Sequence, residues 1–216
     1  MEDTYRHKGM RRQLVEDIRK KGITDEKVLA AIGALPRHFF LDKAFEELAY
    51  EDKALPIGQD QTISQPYTVA FQTVLLDVHK RNKVLEVGTG SGYQAAILAL
   101  LGARVYTVER QEALYKQAKT MLDRISPGNV RCFYRDGYKG LPEFAPFDRI
   151  LVTAGADAIP EALLQQLSPG GILVIPVGSE LQVMHKITRQ ADGSFVDEEK
   201  GFFRFVPFVK GLNRGE

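Results

Sequence analysis

The sequence predicts an α/β fold in which a mostly parallel central sheet is flanked by helices. Between residues 81 and 180, apolar strand-like runs alternate with helical segments, a pattern typical of parallel sheets with right-handed crossovers. Residues 1–80 have a helical pattern, and an Asp192-Gly193 turn predicts a terminal hairpin. We therefore expect one domain, with a substrate-covering helical extension over 1–80, a cofactor-binding core over 81–180 and antiparallel strands over 181–216.

The N-terminal region predicts three helices. Met10–Lys20 has apolar residues at helical spacing, Thr24 or Asp25 can cap a second helix, and Pro66 opens a third. Tyr50–Gln65 has no regular period, so we expect an irregular but ordered segment there.

The core predicts five parallel strands, each an apolar run between turn signals. These strands are Val84–Val87, Arg104–Val108, Val130–Tyr134, Arg149–Thr153 and Ile172–Val177, with helices at Gln94–Leu101, Glu112–Arg124 and Pro160–Leu167. We expect the terminal hairpin to pair Leu181–Thr188 with Phe202–Val209.

Composition narrows the class of protein. A net charge of +1 argues against a nucleic-acid partner, because such proteins carry a basic footprint. No apolar run approaches the length of a membrane span. Cys132 is the single cysteine, which excludes an intrachain disulfide and favours a reducing compartment. We therefore expect a cytoplasmic monomer without a membrane partner.

The most informative run joins the first core strand to its helix. Leu85-Glu86-Val87-Gly88-Thr89-Gly90-Ser91-Gly92-Tyr93 has glycines at three alternate positions, which allow a tight turn and a ligand lying against the backbone. Glu109 follows the next strand, 21 positions after Gly88 (109 − 88). A carboxylate there can accept hydrogen bonds from the hydroxyls of an adenosine ribose.

The glycine spacing indicates which nucleoside cofactor binds. The dinucleotide fingerprint is G-x-G-x-x-G, but Tyr93 stands where its third glycine would be. An anionic Glu86 beside the loop would repel a pyrophosphate and favour a cationic amino acid or a sulfonium. E-x-G-x-G-x-G is typical of S-adenosylmethionine methyltransferases. The sequence therefore predicts their Rossmann-like fold, S-adenosylmethionine as cofactor, S-adenosylhomocysteine as product and no metal.

Several further segments allow a sharper comparison. From about Met10 to Leu212 the chain resembles the protein-L-isoaspartate(D-aspartate) O-methyltransferase family. The resemblance rests on the glycine loop together with Thr62-Ile63-Ser64-Gln65-Pro66, Asp136-Gly137, Leu167-Ser168-Pro169-Gly170-Gly171, Ile175-Pro176-Val177-Gly178 and Arg204-Phe205-Val206-Pro207-Phe208. The T-I-S-x-P and R-F-V-P segments are more specific to that family than the glycine loop.

The resemblance implies an active-site role for Ser64. It implies that the cofactor is bound by Glu86, Gly88, Gly90, Gly92, Glu109, Asp136 and Gly137. Glu109 would bind the ribose, Asp136 the adenine amino group, and Glu86 the loop or the amino group of the cofactor. Substrate contacts are expected from Thr62, Ile63, Thr68, Thr153, Arg204 and Val206.

The implied reaction is methylation of the abnormal carboxyl group of isoaspartyl residues in aged proteins and peptides. In this family the methyl ester collapses to a succinimide, from which some normal aspartate is recovered. The residues agree with such an acceptor, because a carboxyl group with a pKa near ~4 is already ionised at neutral pH and needs no strong base. His7, His38, His79 and His185 are scattered along the chain, away from the glycine loop.

Three alternatives stay open at the level of sequence. A methyltransferase acting on a small molecule or RNA would keep the glycine loop but give Thr62–Pro66 no special role. A protein that binds the cofactor without catalysis would be insensitive to Ser64→Ala. An NAD-dependent oxidoreductase is disfavoured by the glycine spacing, and thermal stabilisation by S-adenosylhomocysteine or by NAD would separate the two.

Overall fold

A seven-stranded, mostly parallel sheet organises the chain. The computed structural model describes residues 2–126 and 128–213. The strands of this sheet are β3 (Lys83–Val87), β4 (Arg104–Glu109), β5 (Val130–Tyr134), β6 (Phe147–Val152), β7 (Leu167–Val177), β8 (Gln182–Arg189) and β9 (Phe195–Phe203). Their order across the sheet is β5-β4-β3-β6-β7-β8-β9. The first five are parallel, and β8 and β9 are antiparallel to their neighbours. The predicted fold class is thereby confirmed.

Helices cover both faces of the sheet, and local signals explain where they begin. They are α1 (Tyr5–Lys20), α2 (Glu26–Ala34), α3 (Pro66–Leu76), α4 (Tyr93–Leu100), α5 (Glu112–Ile125) and α6 (Glu161–Gln165). Asp25 caps α2, as the sequence predicts, by accepting hydrogen bonds from two backbone amides of its first turn. The helix at Met10–Lys20 begins earlier than predicted, because Thr4 supplies a cap before Tyr5.

The strand order creates a crevice at the carboxyl edge of the sheet. The chain runs from β3 through β4 to β5 on one side, then returns to place β6 on the other side of β3. Loops leaving β3 and β6 therefore diverge, and open α/β sheets bind ligands at such a switch point. None of the helices in residues 2–126 and 128–213 combines the length and the apolar composition of a membrane span.

The prediction of an irregular segment at Tyr50–Gln65 is wrong in part. The segment contains an antiparallel hairpin of β1 (Leu55–Gly58) and β2 (Gln61–Ile63). Its turn residues, Gln59 and Asp60, both have positive φ. Such turns usually contain Asn-Gly or Asp-Gly. Gln59-Asp60 therefore does not predict a hairpin turn from the sequence.

The second strand of the terminal hairpin is also misplaced in the prediction. We expected Phe202–Val209, but β9 ends at Phe203. Most of β9 is a polar edge strand, so the apolar criterion did not detect it. After Phe203 the chain leaves the sheet and crosses its carboxyl edge, where Gly155 N–H donates to the Val206 carbonyl at 2.8 Å and Phe208 N–H donates to the Gly155 carbonyl at 2.7 Å.

Candidate active site

A cavity, which we call the first cavity, lies in the crevice at the carboxyl ends of the parallel strands. Its wall combines the glycine loop, the end of β4, the segment after β5, the start of the β6 loop, the β2 strand and the crossing C-terminal segment. The residues that line this wall include Thr62, Ile63, Ser64, Val87, Gly88, Gly90, Gln94, Glu109, Gly137, Thr153, Val206 and Phe208.

The glycine loop is shaped by two close contacts. Gly88 has φ +101°, and a Cβ at this position would lie 2.5 Å from Thr153 Oγ1. Only glycine meets both conditions without displacing the threonine. The Thr153 hydroxyl can donate a hydrogen bond to either of two carbonyl oxygens: that of Gly88, at 2.7 Å, or that of Val87, at 3.1 Å. Gly92, by contrast, lies outside the described wall, and a Cβ there would contact Leu122 of α5 at 3.1 Å.

Glu109 holds the glycine loop and faces the first cavity. One carboxylate oxygen accepts from Gly90 N–H at 2.9 Å and the other from Gln111 N–H at 2.9 Å. Burial raises the pKa of this carboxyl, against the opposing effect of the backbone amides. A carboxylate has about four acceptor positions, so Glu109 keeps capacity for the hydroxyls of a ligand.

Gly137 and Asp136 have different positions, although they are adjacent. Gly137 lines the first cavity, and a Cβ there would lie 2.4 Å from Val87 Cγ1 and 3.2 Å from the Phe208 ring. Asp136 lies outside the described wall. Its carboxylate accepts from Tyr138 N–H at 3.0 Å and from Gly211 N–H at 3.1 Å, so it ties the C-terminal segment to the end of β5.

Glu86 lies behind the glycine loop, outside the described wall of the first cavity. Its side chain is 0% exposed and accepts a hydrogen bond from Thr107, whose hydroxyl also lies 2.7 Å from that of Thr89 in the loop. Burial, with a smaller contribution from the nearby Glu109, raises the pKa of Glu86 to about 8. Burial therefore favours the neutral form of this carboxyl over the anion on which the sequence-based expectation rests.

A second cavity adjoins the first and shares part of its wall. Thr62, Ser64, Thr153 and Val206 line both spaces. The second cavity is otherwise lined by Ala54, Gln65, Tyr67, Thr68, Leu181, Phe202, Phe203, Arg204 and Phe205. Of the predicted substrate residues, Thr68 and Arg204 line only this second cavity, and Ile63 lines only the first.

The Ser64 segment is held by a residue that the sequence did not indicate. Asp52 accepts from Tyr67 N–H at 2.8 Å and from Gln65 Nε2 at 3.1 Å. Asp52 therefore caps the N-terminus of α3, although it is far from this helix in the sequence. Gln65, which directly precedes α3, makes no capping hydrogen bond with its side chain. Within the described part of the chain, the Ser64 hydroxyl has no hydrogen-bond partner and stays available to a ligand.

Comparison with known proteins assigns the family. A sequence model of the protein-L-isoaspartate(D-aspartate) O-methyltransferase family matches residues 9–213. Protein-L-isoaspartate O-methyltransferase of Christiangramia forsetii is 58% identical over 99% of this chain and 100% of its own length. The chain belongs to the protein-L-isoaspartate(D-aspartate) O-methyltransferase family.

Solved structures of this family have the same fold. A protein-L-isoaspartate O-methyltransferase matches with a TM-score of 0.84 and 32% identity, covering 94% of this chain and 67% of the other. A putative family member from Plasmodium falciparum, in complex with S-adenosyl-L-homocysteine, matches with a TM-score of 0.82 and 25% identity, covering 93% of this chain and 99% of the other.

We expect Gly137→Ala to lower the free energy of unfolding by about 1–3 kcal/mol, because a Cβ there would overpack against Val87 and Phe208. Urea unfolding measures this change. Gly9→Ala is the control and should not lower the stability, since a Cβ at Gly9 meets nothing within 4 Å. Equal stabilities of Gly137→Ala and the unmodified protein would contradict the tight packing described for this position.

We expect Glu86→Gln to flatten the pH dependence of stability. Between the ordinary pKa of 4.5 and the folded value of about 8, the folded state binds one more proton than the unfolded state. The free energy of unfolding therefore falls as pH rises in this window, by up to about 1.4 kcal/mol per pH unit. Urea unfolding at both ends of the window measures the slope, with the exposed Glu199→Gln as control. Parallel curves for Glu86→Gln and the unmodified protein would refute the raised pKa.

Proposed function

We propose that this protein transfers the methyl group of S-adenosylmethionine to the free carboxylate of isoaspartyl residues in damaged proteins and peptides. The observation that carries the proposal is the shared wall of the two cavities. A cofactor in the first cavity and an acceptor in the second would meet at Thr62, Ser64, Thr153 and Val206. Membership of the isoaspartyl methyltransferase family supports the same reaction.

The first cavity suits a cationic adenosyl amino acid. Glu109 offers acceptor positions for ribose hydroxyls, and Val87, Val108 and Phe208 supply apolar wall. The Gln94 side-chain oxygen is buried and has no partner within the described residues, so an ammonium group would complete its hydrogen bonding. When bound, S-adenosylmethionine would supply a methyl group on a sulfonium sulfur; a carboxylate oxygen can bond to that methyl carbon in one step while the C–S bond breaks and the sulfur leaves as the neutral thioether of S-adenosylhomocysteine.

Ser64 orients the acceptor in this proposal. Its free hydroxyl can donate to one carboxylate oxygen, while Arg204 supplies a cation on the wall of the second cavity. Neither cavity needs a general base, because the acceptor is ionised at neutral pH. None of the four histidines lines either cavity in the described part of the chain. Positioning and exclusion of water then supply most of the rate enhancement.

The other predicted site residues have supporting roles. Gly88, Gly90 and Gly137 bring backbone against the cofactor, while Gly92 allows α4 to approach α5. Thr62, Ile63 and Thr68 contact cofactor or substrate from one side, and Thr153 and Val206 do so from the other.

Glu86 and Asp136 act indirectly in this proposal. Glu86 acts through Thr107 and Thr89 on the glycine loop. Asp136 acts through the C-terminal segment that it holds against the end of β5. Neither carboxylate is on the described wall of the first cavity.

The chain would act as a monomer in the cytoplasm. The two cavities share Thr62, Ser64, Thr153 and Val206 within one chain, so one subunit can hold both cofactor and acceptor in this proposal. Its single cysteine suits a reducing compartment. We propose neither a nucleic-acid nor a membrane partner, and an isoaspartyl protein or peptide is the one macromolecule that this site requires.

The function is tested by methyl transfer from labelled S-adenosylmethionine to one peptide made in matched L-aspartyl and L-isoaspartyl forms. We expect base-labile label on the isoaspartyl form alone, because a methyl ester hydrolyses in base. Base-stable label would indicate transfer to nitrogen. Absence of label on both peptides, with S-adenosylhomocysteine still bound, would reject the proposed acceptor.

We expect Ser64→Ala to lower kcat/KM for the isoaspartyl peptide about 10²-fold, since loss of acceptor positioning has effects of this size. The affinity for S-adenosylhomocysteine should be retained. Ser194→Ala, in the exposed turn between β8 and β9, is the control and should leave both quantities unchanged. If Ser64→Ala has full activity, Ser64 has no part in orienting the acceptor.

A further inference from the structure

Two large apolar side chains are exposed on the wall of the second cavity. Leu181 is 49% exposed and Phe202 is 70% exposed. Other aromatic residues of this wall are partly buried, as Phe203 is against Phe71 with ring centroids 5.0 Å apart. The core therefore does not account for Leu181 and Phe202, which we call the apolar rim.

The apolar rim is fixed in position by the sheet. Phe202 belongs to β9 and pairs with Val183 of β8, and Leu181 comes immediately before β8. Phe202, carried by paired strands, and Leu181, next to the start of β8, lose little conformational freedom when they contact a ligand. Neighbouring exposed apolar residues at the edge of a cavity form a surface that an apolar ligand group can cover.

The rim is continuous with the place where the acceptor would bind. The second cavity that it borders contains Ser64, Thr62 and Thr153. Its occupant in the proposed function is the isoaspartyl residue together with the side chains next to it. Because Ser64, Leu181 and Phe202 line one cavity, a neighbouring side chain can contact the rim while the carboxylate stays at Ser64.

The charge of this wall narrows the chemistry of that neighbour. Arg204 is the one charged residue among the described residues that line the second cavity. A cationic neighbour would be repelled by Arg204 and would leave the rim uncovered, whereas an aliphatic or aromatic neighbour would cover it.

We propose that Leu181 and Phe202 form a specificity subsite for an aliphatic or aromatic side chain directly flanking the isoaspartate. This inference rests on the proposed function. The subsite makes the enzyme prefer isoaspartyl sites with apolar neighbours over sites flanked by glycine or lysine.

The test measures kcat/KM for three isoaspartyl peptides that differ only in the two residues flanking the isoaspartate: leucine, glycine or lysine on both sides. The unmodified protein should prefer the leucine peptide to the glycine peptide about tenfold, a typical discrimination for an apolar pocket. The double variant Leu181→Ala/Phe202→Ala should lose this preference and retain its kcat/KM for the glycine peptide.

Phe195→Ala/Val196→Ala is the matched control, because these two residues are 41% and 48% exposed at the other end of β9. It should keep the full preference for leucine. An equal loss of activity on all three peptides in the rim variant, or no preference in the unmodified protein, would overturn the subsite. Failure of the unmodified protein to methylate any isoaspartyl peptide would instead reject the proposed function.

Discussion

The contact between Thr153 and the glycine loop is the constraint on which the site depends. Thr153 follows β6 and Gly88 follows β3, and the two parallel strands are neighbours. The threonine hydroxyl lies within hydrogen-bonding distance of the carbonyls of Val87 and Gly88, in the space that a side chain at Gly88 would fill. Because Thr153 also lines both cavities, this contact fixes the position of a residue in the wall that the two cavities share.

The charges of the acidic side chains in this site depend on burial as much as on pairing with other groups. Burial raises the pKa of Glu86 behind the loop, and Glu109 accepts hydrogen bonds from two backbone amides. The first cavity therefore offers oxygen acceptors, while Arg204 adds a cation on the wall of the second cavity. This separation matches a reaction in which a sulfonium and a carboxylate approach each other and neutralise their charges.

Local patterns predicted the parts of the molecule that depend on residues close in sequence. The five parallel strands, the glycine loop and the Asp25 cap all follow from such patterns. The β1–β2 hairpin did not, because its turn uses Gln59 and Asp60 where glycine is usual. The contact between Asp52 and Tyr67 N–H could not be predicted either, since no periodicity encodes a cap supplied from another part of the chain.

Local patterns did not predict the position of the C-terminal segment either. That position also affects when the site becomes complete during synthesis of the chain. Val206 and Phe208 complete the first cavity by bonding across the sheet edge to Gly155, long after the glycine loop has been synthesised. A growing chain that has not yet released the residues near 208 therefore lacks part of the wall of the first cavity. That wall is complete only once those residues are free to pack across the sheet edge.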